Sequence, residues 1–387
     1  MIEFDYSELT PSERALQAEV REFLDRELPY GSYHPALGFH ADKDPEFSRK
    51  LGAQGYLGMS LPKRYGGHER SAVDRFVVTE ELLRRGAPVG HHWVADRQSG
   101  PVIAKFGTEH QKERFIPGIA RGELSFCIGM SEPDSGSDLA SVATKATRDG
   151  DGWVLEGRKI WTTFAHLHDW AIVLCRSTPV AELTDKRQGM SQFIVDLKSP
   201  GLTATPIPFI DGTSDFCEVE LDQVFVPDEL VLGSIGQGWA QNTSELAYER
   251  GGPDRWLSSY TLLAELLRLH EQQPLPDRVA DVLGEALANY WVLHSLSLSV
   301  ARSIDSGGAP AVESSLVKEM GTRFEQDVVT AINGIVDEAP NMADTSAFIR
   351  LLISATLAAP SFTIRGGTNE VLRSVAAKGL QPSGGKR

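Results

Sequence analysis

Cysteine is nearly missing from this chain: Cys127, Cys175 and Cys217 are the only three in 387 residues. An odd, scattered set without metal-ligand spacing argues against a disulfide framework and predicts a reducing compartment, the cytoplasm. No apolar run approaches the ~20 residues that cross a bilayer, so no membrane span is expected. The opening MIEFDYSELTPSERALQ is acidic and lacks the basic and apolar sections of a signal peptide. Positive charge is also short, with 38 Lys and Arg against 53 Asp and Glu and a net charge of −15. That balance argues against broad nucleic-acid binding, while leaving room for a local basic patch that meets the phosphates of an anionic substrate. No internal repeat and no nucleophile-elbow pattern occur. His91-His92 and His166-Leu167-His168 lack the carboxylate or cysteine companions of a metal site, so surface or pocket-lining roles are expected and no metal is assigned.

What is present is enough for a large core. Hydrophobic residues make up 41% and charged residues 24%, as in a soluble globular protein, and the length allows two or three domains. The first third reads as helical. Thr10-Pro11-Ser12-Glu13 combines a capping residue, a first-turn proline and a returning glutamate, and Leu16, Val20, Phe23 and Leu24 follow at helical spacing. The middle third changes period. Trp153 to Leu155, Ala171 to Leu174, Phe193 to Val195, Leu202 to Ala204 and Val219 to Leu221 read as short strands between Gly, Asp and Pro turns. From Trp239 helical spacing returns, interrupted at Gln272 to Pro276 and at Ser306 to Pro310. The glycine-rich Gly233 to Gly238 lacks dinucleotide-fingerprint spacing and reads as the turn between β and helical parts. The final SGGKR reads as a solvated tail.

The most informative stretch is Phe126 to Arg176. A short strand, Phe126 to Met130, leads into a polar loop with Pro133, Gly136 and three serines, and another strand ends in Lys159-Ile160-Trp161-Thr162-Thr163. Such a loop exposes N–H groups and hydroxyls together, which suits a planar heteroaromatic ligand rich in acceptors. Trp161 could supply a wall and Thr163 a donor. Further landmarks are LGAQGYLGMSLPKRYGG (Leu51 to Gly67), FGTEHQKERFIPGIARGE (Phe106 to Glu123), Ser131-Glu132-Pro133 with Gly136-Ser137-Asp138, and Gly366-Gly367-Thr368-Asn369-Glu370. In this order they resemble the acyl-CoA dehydrogenase family over most of the chain. The resemblance implies an α+β multi-domain fold: an N-terminal helical domain (1–124), a middle β-barrel-like domain (125–232) and a C-terminal four-helix bundle (233–387).

It also implies the chemistry. Family members remove a proton beside a thioester carbonyl and pass a hydride from the next carbon to the N5 of FAD, leaving a trans-2-enoyl-CoA. In many members the base is a glutamate of the C-terminal loop, and here that position is Gly366. In the long-chain and isovaleryl branches the base instead sits on a helix after the β domain, immediately before an arginine, and the loop residue is small. Tyr248-Glu249-Arg250 matches that arrangement, so the resemblance makes Glu249 the base, places Arg250 at the substrate and leaves Glu370 as the competing carboxylate. Gly366 keeps an oxyanion role through its backbone N–H, a contribution of ~3 kcal/mol. By the same resemblance Phe126, Ile128, Met130 and Ser131 take the pyrimidine side of the flavin, and Trp161 and Thr163 the side near the reactive nitrogen. Thr368 and Asn369 match the loop around flavin phosphates and ring, and Ser137 matches an acyl-CoA contact.

Two departures sharpen these expectations. Homotetrameric relatives donate Arg-x-x-Phe-Gly and a Gly-Gly-x-Gly stretch to the ADP end of a neighbour's FAD. Here those places read His270-Glu271-Gln272-Gln273-Pro274-Leu275-Pro276-Asp277 and Ala331-Ile332-Asn333-Gly334-Ile335. A partner subunit of the same fold is therefore expected to supply the ADP contacts, as in heteromeric bacterial members including those acting on sterol side chains. The alternative is a homo-oligomer using Arg278, Arg302 or Arg323. Second, Gly251-Gly252-Pro253 should break the helix just after Glu249-Arg250, which would widen the acyl cavity for a branched or ring-bearing group, and Arg365 could meet a polar acyl group. Electron-transfer flavoprotein is the expected acceptor. A flavin oxidase or monooxygenase, an enzyme of carrier-protein thioesters, and a catalytically silent subunit are the alternatives.

Overall fold

The computed structural model describes residues 3–38, 42–272, 277–336 and 346–380, and for residues 244–249 the backbone alone. Five helices come first: α1 (Pro11–Glu27), α2 (Pro45–Ala53), α3 (Ala72–Arg85), α4 (Gly100–Phe106) and α5 (Glu109–Ala120). The strands are β1 (Phe126–Gly129), β2 (Lys145–Asp149), β3 (Gly152–Thr163), β4 (Trp170–Arg176), β5 (Met190–Asp196), β6 (Leu202–Pro206), β7 (Phe216–Pro227) and β8 (Val231–Leu232). Then follow α6 (Gly238–Glu249), α7 (Tyr260–Gln272), α8 (Asp277–Asp305), α9 (Ala311–Ile335), α10 (Ala347–Phe362) and α11 (Asn369–Leu380). The order of helices, then sheet, then helical bundle is the one expected. Residues 273–276, which carry both prolines of the expected interruption, and the terminal SGGKR lie outside the described residues. Among the described residues no helix is long and apolar enough to cross a membrane.

By packing the chain forms two compact units. One unites residues 1–42, 71–89 and 247–387. In it α1 packs on α3, α3 on α8, and α9 on α8, α10 and α11. The capping box at Thr10 is formed in full: its hydroxyl accepts from the N–H of Glu13, whose carboxylate takes the Thr10 N–H. Such a cap is worth about 1 kcal/mol.

The other unit, residues 43–70 and 90–246, holds the sheet. Its strand order is β6-β7-β3-β2-β4-β5-β8, and β1 is added to β4 in parallel. β4 and β5 are buried along almost their whole length, while β7 alternates buried and exposed residues, as a strand with one wet face does. Helix α5 underlies β1: Phe115 meets Phe126 edge-on at 5.7 Å and Trp170 at 5.0 Å. Cys127, Cys175 and Cys217 are all free and buried, and burial pushes the Cys175 thiol up to about 12.

Candidate functional site

In the sheet unit, β1 ladders only with β4 among the described residues, from Phe126 opposite Trp170 to Gly129 opposite Val173. The side chain of Phe126 is fully buried and Ile128, Met130 and Ser131 are half-buried. The second edge of β1 is thus outside any ladder, which suits a planar ring with hydrogen-bonding groups along its rim. The loop after β1 is held by a buried ion pair. Lys159 Nζ lies 2.8 Å from Glu132 Oε1 and 3.2 Å from the Met130 carbonyl, and Glu132 also accepts the N–H groups of Ala143 and Thr144 at 2.7 and 2.9 Å. The Ile160 N–H donates to the Ser131 carbonyl at 2.9 Å. Burial alone would raise the Glu132 carboxyl, but the Lys159 ammonium and these hydrogen bonds hold it below the usual carboxylate range.

The same tether aims Trp161. The pairing of β3 with β7 slips between Lys159 and Thr162, and bulges of this kind re-aim a side chain. Trp161 takes φ +60°, a left-handed conformation rare for a large side chain, and its ring is 52% exposed. Phe216 braces it edge-on at 6.3 Å. Thr163 is half-buried and Ser137 exposed, the latter beside the surface pair of Asp138 with Lys186. His91, His92 and His168 are buried, so none is a surface residue. Burial pushes His92 and His168 down to about 3, and Nδ1 of His92 meets the Ser48 hydroxyl at 2.8 Å. No group of three potential metal ligands occurs among the described residues.

In the helical unit, α6 ends at Glu249, Arg250 and Gly251 form a turn, and Pro253–Arg255 forms a single 3₁₀ turn before α7. The helix does break where the glycines and proline predict. The side chain of Glu249 lies outside the described residues. Two glycines let the following segment lie flush on its neighbours. A Cβ on Gly251 would stand 2.6 Å from Val300 Cγ1 of α8, and one on Gly321 of α9 would stand 2.5 Å from the Arg255 carbonyl.

The turn between α10 and α11 carries Gly366 and Gly367 at φ +65° and +86°. Neither N–H has a hydrogen-bond partner among the described residues. Arginines back both glycines: a Cβ on Gly366 would meet the Arg255 guanidinium at 2.8 Å, and one on Gly367 would meet Arg250 Nη2 at 3.4 Å. Thr368 is half-buried, whereas the Asn369 side chain is buried and accepts from Lys318 Nζ at 2.6 Å and the Thr322 hydroxyl at 3.2 Å. Arg365 turns inward, donating to Glu325 at 2.6 Å, the Ser258 hydroxyl at 2.7 Å and the Asp254 carbonyl at 3.2 Å. Those bonds leave it tied to this unit's own core rather than aimed at an acyl group. Burial lifts the Glu325 carboxyl above its ordinary value despite Arg365. Burial, with Arg255, Arg365 and Arg250 nearby, brings the Lys318 ammonium down to about 7. Glu132 and Lys159 in the sheet unit, and Arg255 and Lys318 in the helical unit, are buried charged residues to which sequence reasoning gave no role. Glu132 belongs to the Ser131-Glu132-Pro133 motif, but its partner stands 27 residues away.

The comparisons with known proteins agree with one another. The family model "Acyl-CoA dehydrogenase, N-terminal domain" matches residues 10–123, and "Acyl-CoA dehydrogenase, middle domain" matches residues 127–224. Acyl-CoA dehydrogenase FadE29 of Mycobacterium tuberculosis is 32% identical over 97% of this chain and 98% of its own. Acyl-CoA dehydrogenase IpdE1 of the same organism is 31% identical over 86% of both. Among solved structures, the Tcur3481-Tcur3483 steroid ACAD superposes with a TM-score of 0.84 at 28% identity, covering 97% of this chain and 99% of that one. The ChsE4-ChsE5 complex from Mycobacterium tuberculosis gives 0.83 at 28% identity over 98% and 100%. With both family models in register and relatives matched nearly end to end, this chain belongs to the acyl-CoA dehydrogenase family, a family of flavoprotein oxidoreductases.

Proposed function

We propose that this chain oxidises the Cα–Cβ bond of an acyl-CoA thioester to a trans-2-enoyl-CoA, with Glu249 taking the α-proton. FAD, when bound, supplies the hydride acceptor at its N5. The ladder-free edge of β1 and the exposed Trp161 ring fit such a group, with Phe126, Ile128, Met130 and Ser131 serving one side and Trp161 and Thr163 the other. Ser137 and Arg250 would contact the acyl-CoA, Thr368 the cofactor, and Asn369 shapes the turn that both face. The observation that carries the reading is the Gly366 N–H, which has no hydrogen-bond partner among the described residues and lies on a turn backed by two arginines. A donor in that setting stabilises the oxygen that turns negative as the α-proton leaves. A glycine there has no carboxyl to offer, and the chain places Glu249 at the end of α6, immediately before Arg250.

The acyl group is proposed to be bulky and ring-bearing. The break after Glu249 removes the next helical turn, and the similar Tcur3481-Tcur3483 protein is a steroid enzyme. Electron-transfer flavoprotein is the proposed acceptor, and a same-fold partner subunit the proposed source of the ADP contacts. The deciding experiment is anaerobic flavin reduction by a panel of acyl-CoAs in the parent and in Glu249→Gln. A base of this kind contributes about 10²–10⁴-fold, so the variant should keep its flavin and lose at least that much reduction rate. Equal rates would remove Glu249 from the chemistry.

A further inference from the structure

Lys318 is a fully buried lysine in the N-terminal half of α9. Its Nζ donates to the Thr363 carbonyl at 3.1 Å and to Asn369 Oδ1 at 2.6 Å, so one ammonium touches both ends of the turn that carries Gly366 and Gly367. The ends are also joined to each other, since the Asn369 N–H donates to the Thr363 carbonyl at 3.1 Å. Thr322, one turn further along α9, adds its hydroxyl to Asn369 Oδ1, and Asn369 Nδ2 reaches the Glu319 carbonyl at 3.4 Å.

Burying an ammonium is costly, and here the cost is raised by company of the same sign. Arg250, Arg255 and Arg365 all act on Lys318, against Glu325 as the attracting carboxylate. An apolar side chain of similar length would fill the same space in α9 without that penalty. The expense is explained by the turn. Two successive glycines with positive φ have many alternative conformations, and their N–H groups can serve a reacting oxygen only when held from outside to within a fraction of an ångström. We propose that Lys318 is a positioning residue of the proposed reaction: from α9 it ties Thr363 to Asn369 and thereby fixes the N–H groups of Gly366 and Gly367. The catalytic part of this statement rests on the function proposed above, whereas the tie itself does not.

The test is amide hydrogen exchange, read by mass spectrometry on peptides covering residues 363–369 and α9, in the parent and in Lys318→Met. The protein is used with its flavin, and with its partner subunit where loading requires one. Exchange in the turn should quicken about tenfold or more, the scale of one charged hydrogen bond, while α9 keeps its protection. With a reducing acyl-CoA, turnover should fall about 10–100-fold with KM changed far less, and Lys318→Gln, an uncharged donor, should recover part of the loss. Unchanged exchange in the turn, or a rise shared equally by α9, overturns the proposal. If Lys318→Met does not fold, Lys318→Gln is compared with the parent by the same measurement, and failure of both to fold also overturns it. If no acyl-CoA reduces the parent's flavin, the proposed function falls, while the exchange result still decides whether Lys318 holds the turn.

Discussion

The Arg255 guanidinium occupies the space into which a side chain at position 366 would grow, 2.8 Å from where its Cβ would stand. Arg255 is only 2% exposed and Gly366 sits at φ +65°, so the position resists any side chain twice over. Putting the missing loop carboxylate back should therefore fail. Gly366→Glu would force a non-glycine residue into left-handed backbone, a cost of about 1–3 kcal/mol, and would set its carboxylate against a guanidinium instead of a substrate carbon. The expected result is a less stable protein with flavin reduction at least tenfold slower. A Gly366→Glu variant that rescues Glu249→Gln would show that the turn has more room than its arginine backing implies.

The Glu132–Lys159 pair makes a prediction about stability and acid. Removing one partner from a buried pair strands the other charge, typically at a cost of about 3–5 kcal/mol. Lys159→Met should be destabilised on that scale in denaturant unfolding, and Glu132→Leu with Lys159→Met together should recover most of it. Glu132 is held below its ordinary value of 4.5 in the folded chain. Its contribution is thus present above that value and is lost as the pH falls through the lowered folded value. The stability difference between parent and Glu132→Gln should accordingly shrink at pH below about 4.5; a difference that stays constant with pH would deny the carboxylate its charge.

Trp161 is expected to separate stability from cofactor retention. Its left-handed backbone costs about 1–2 kcal/mol relative to glycine. Trp161→Gly relieves that strain, but loosens the unfolded chain by about 0.5–1 kcal/mol and loses the edge contact with Phe216, worth about 0.5–1.5 kcal/mol. These nearly cancel, so the flavin-free protein should melt close to the parent. Flavin retention on dialysis should nevertheless fall clearly, because the exposed ring has little else to pack on. Unchanged retention would make the tryptophan a surface residue.

Much of this was legible in the sequence because the signals are local. The Thr10 cap, the short apolar runs that became β4, β5 and β7, and the helix break beside Arg250 each rest on residues within a few positions of one another. The motifs from Leu51 to Glu370 supplied the family. What stayed hidden was pairing at a distance. Nothing near Lys318 announces that it meets Asn369, 51 residues on, and nothing near Arg255 announces Gly366. Arg365 is bound to Glu325 and Ser258 and not free for a polar acyl group, and a sequence does not say which way an arginine turns. The His91-His92 and His166–His168 clusters left surface and lining roles open for a similar reason: burial depends on what packs over a loop.

Arginines also bear on assembly. If the chain formed a self-sufficient homo-oligomer, some cation outside the missing family pattern would have to meet the ADP end of the cofactor. Arg302 is committed to Glu13 through two hydrogen bonds, at 2.5 and 2.6 Å, and Arg278 reaches the Ile335 carbonyl at 3.3 Å. Arg323, with its side chain 60% exposed and 3.5 Å from Glu319, is the freest to act. One exposed arginine is a weak hold on a diphosphate, because it is strongly solvated and screened by salt. The chain expressed alone should therefore carry well under one FAD per subunit, and co-expression with a same-fold partner should bring the complex to full occupancy. A stable, active homo-oligomer with stoichiometric FAD would refute the partner, and loss of that FAD in Arg323→Ala would then identify the replacement contact.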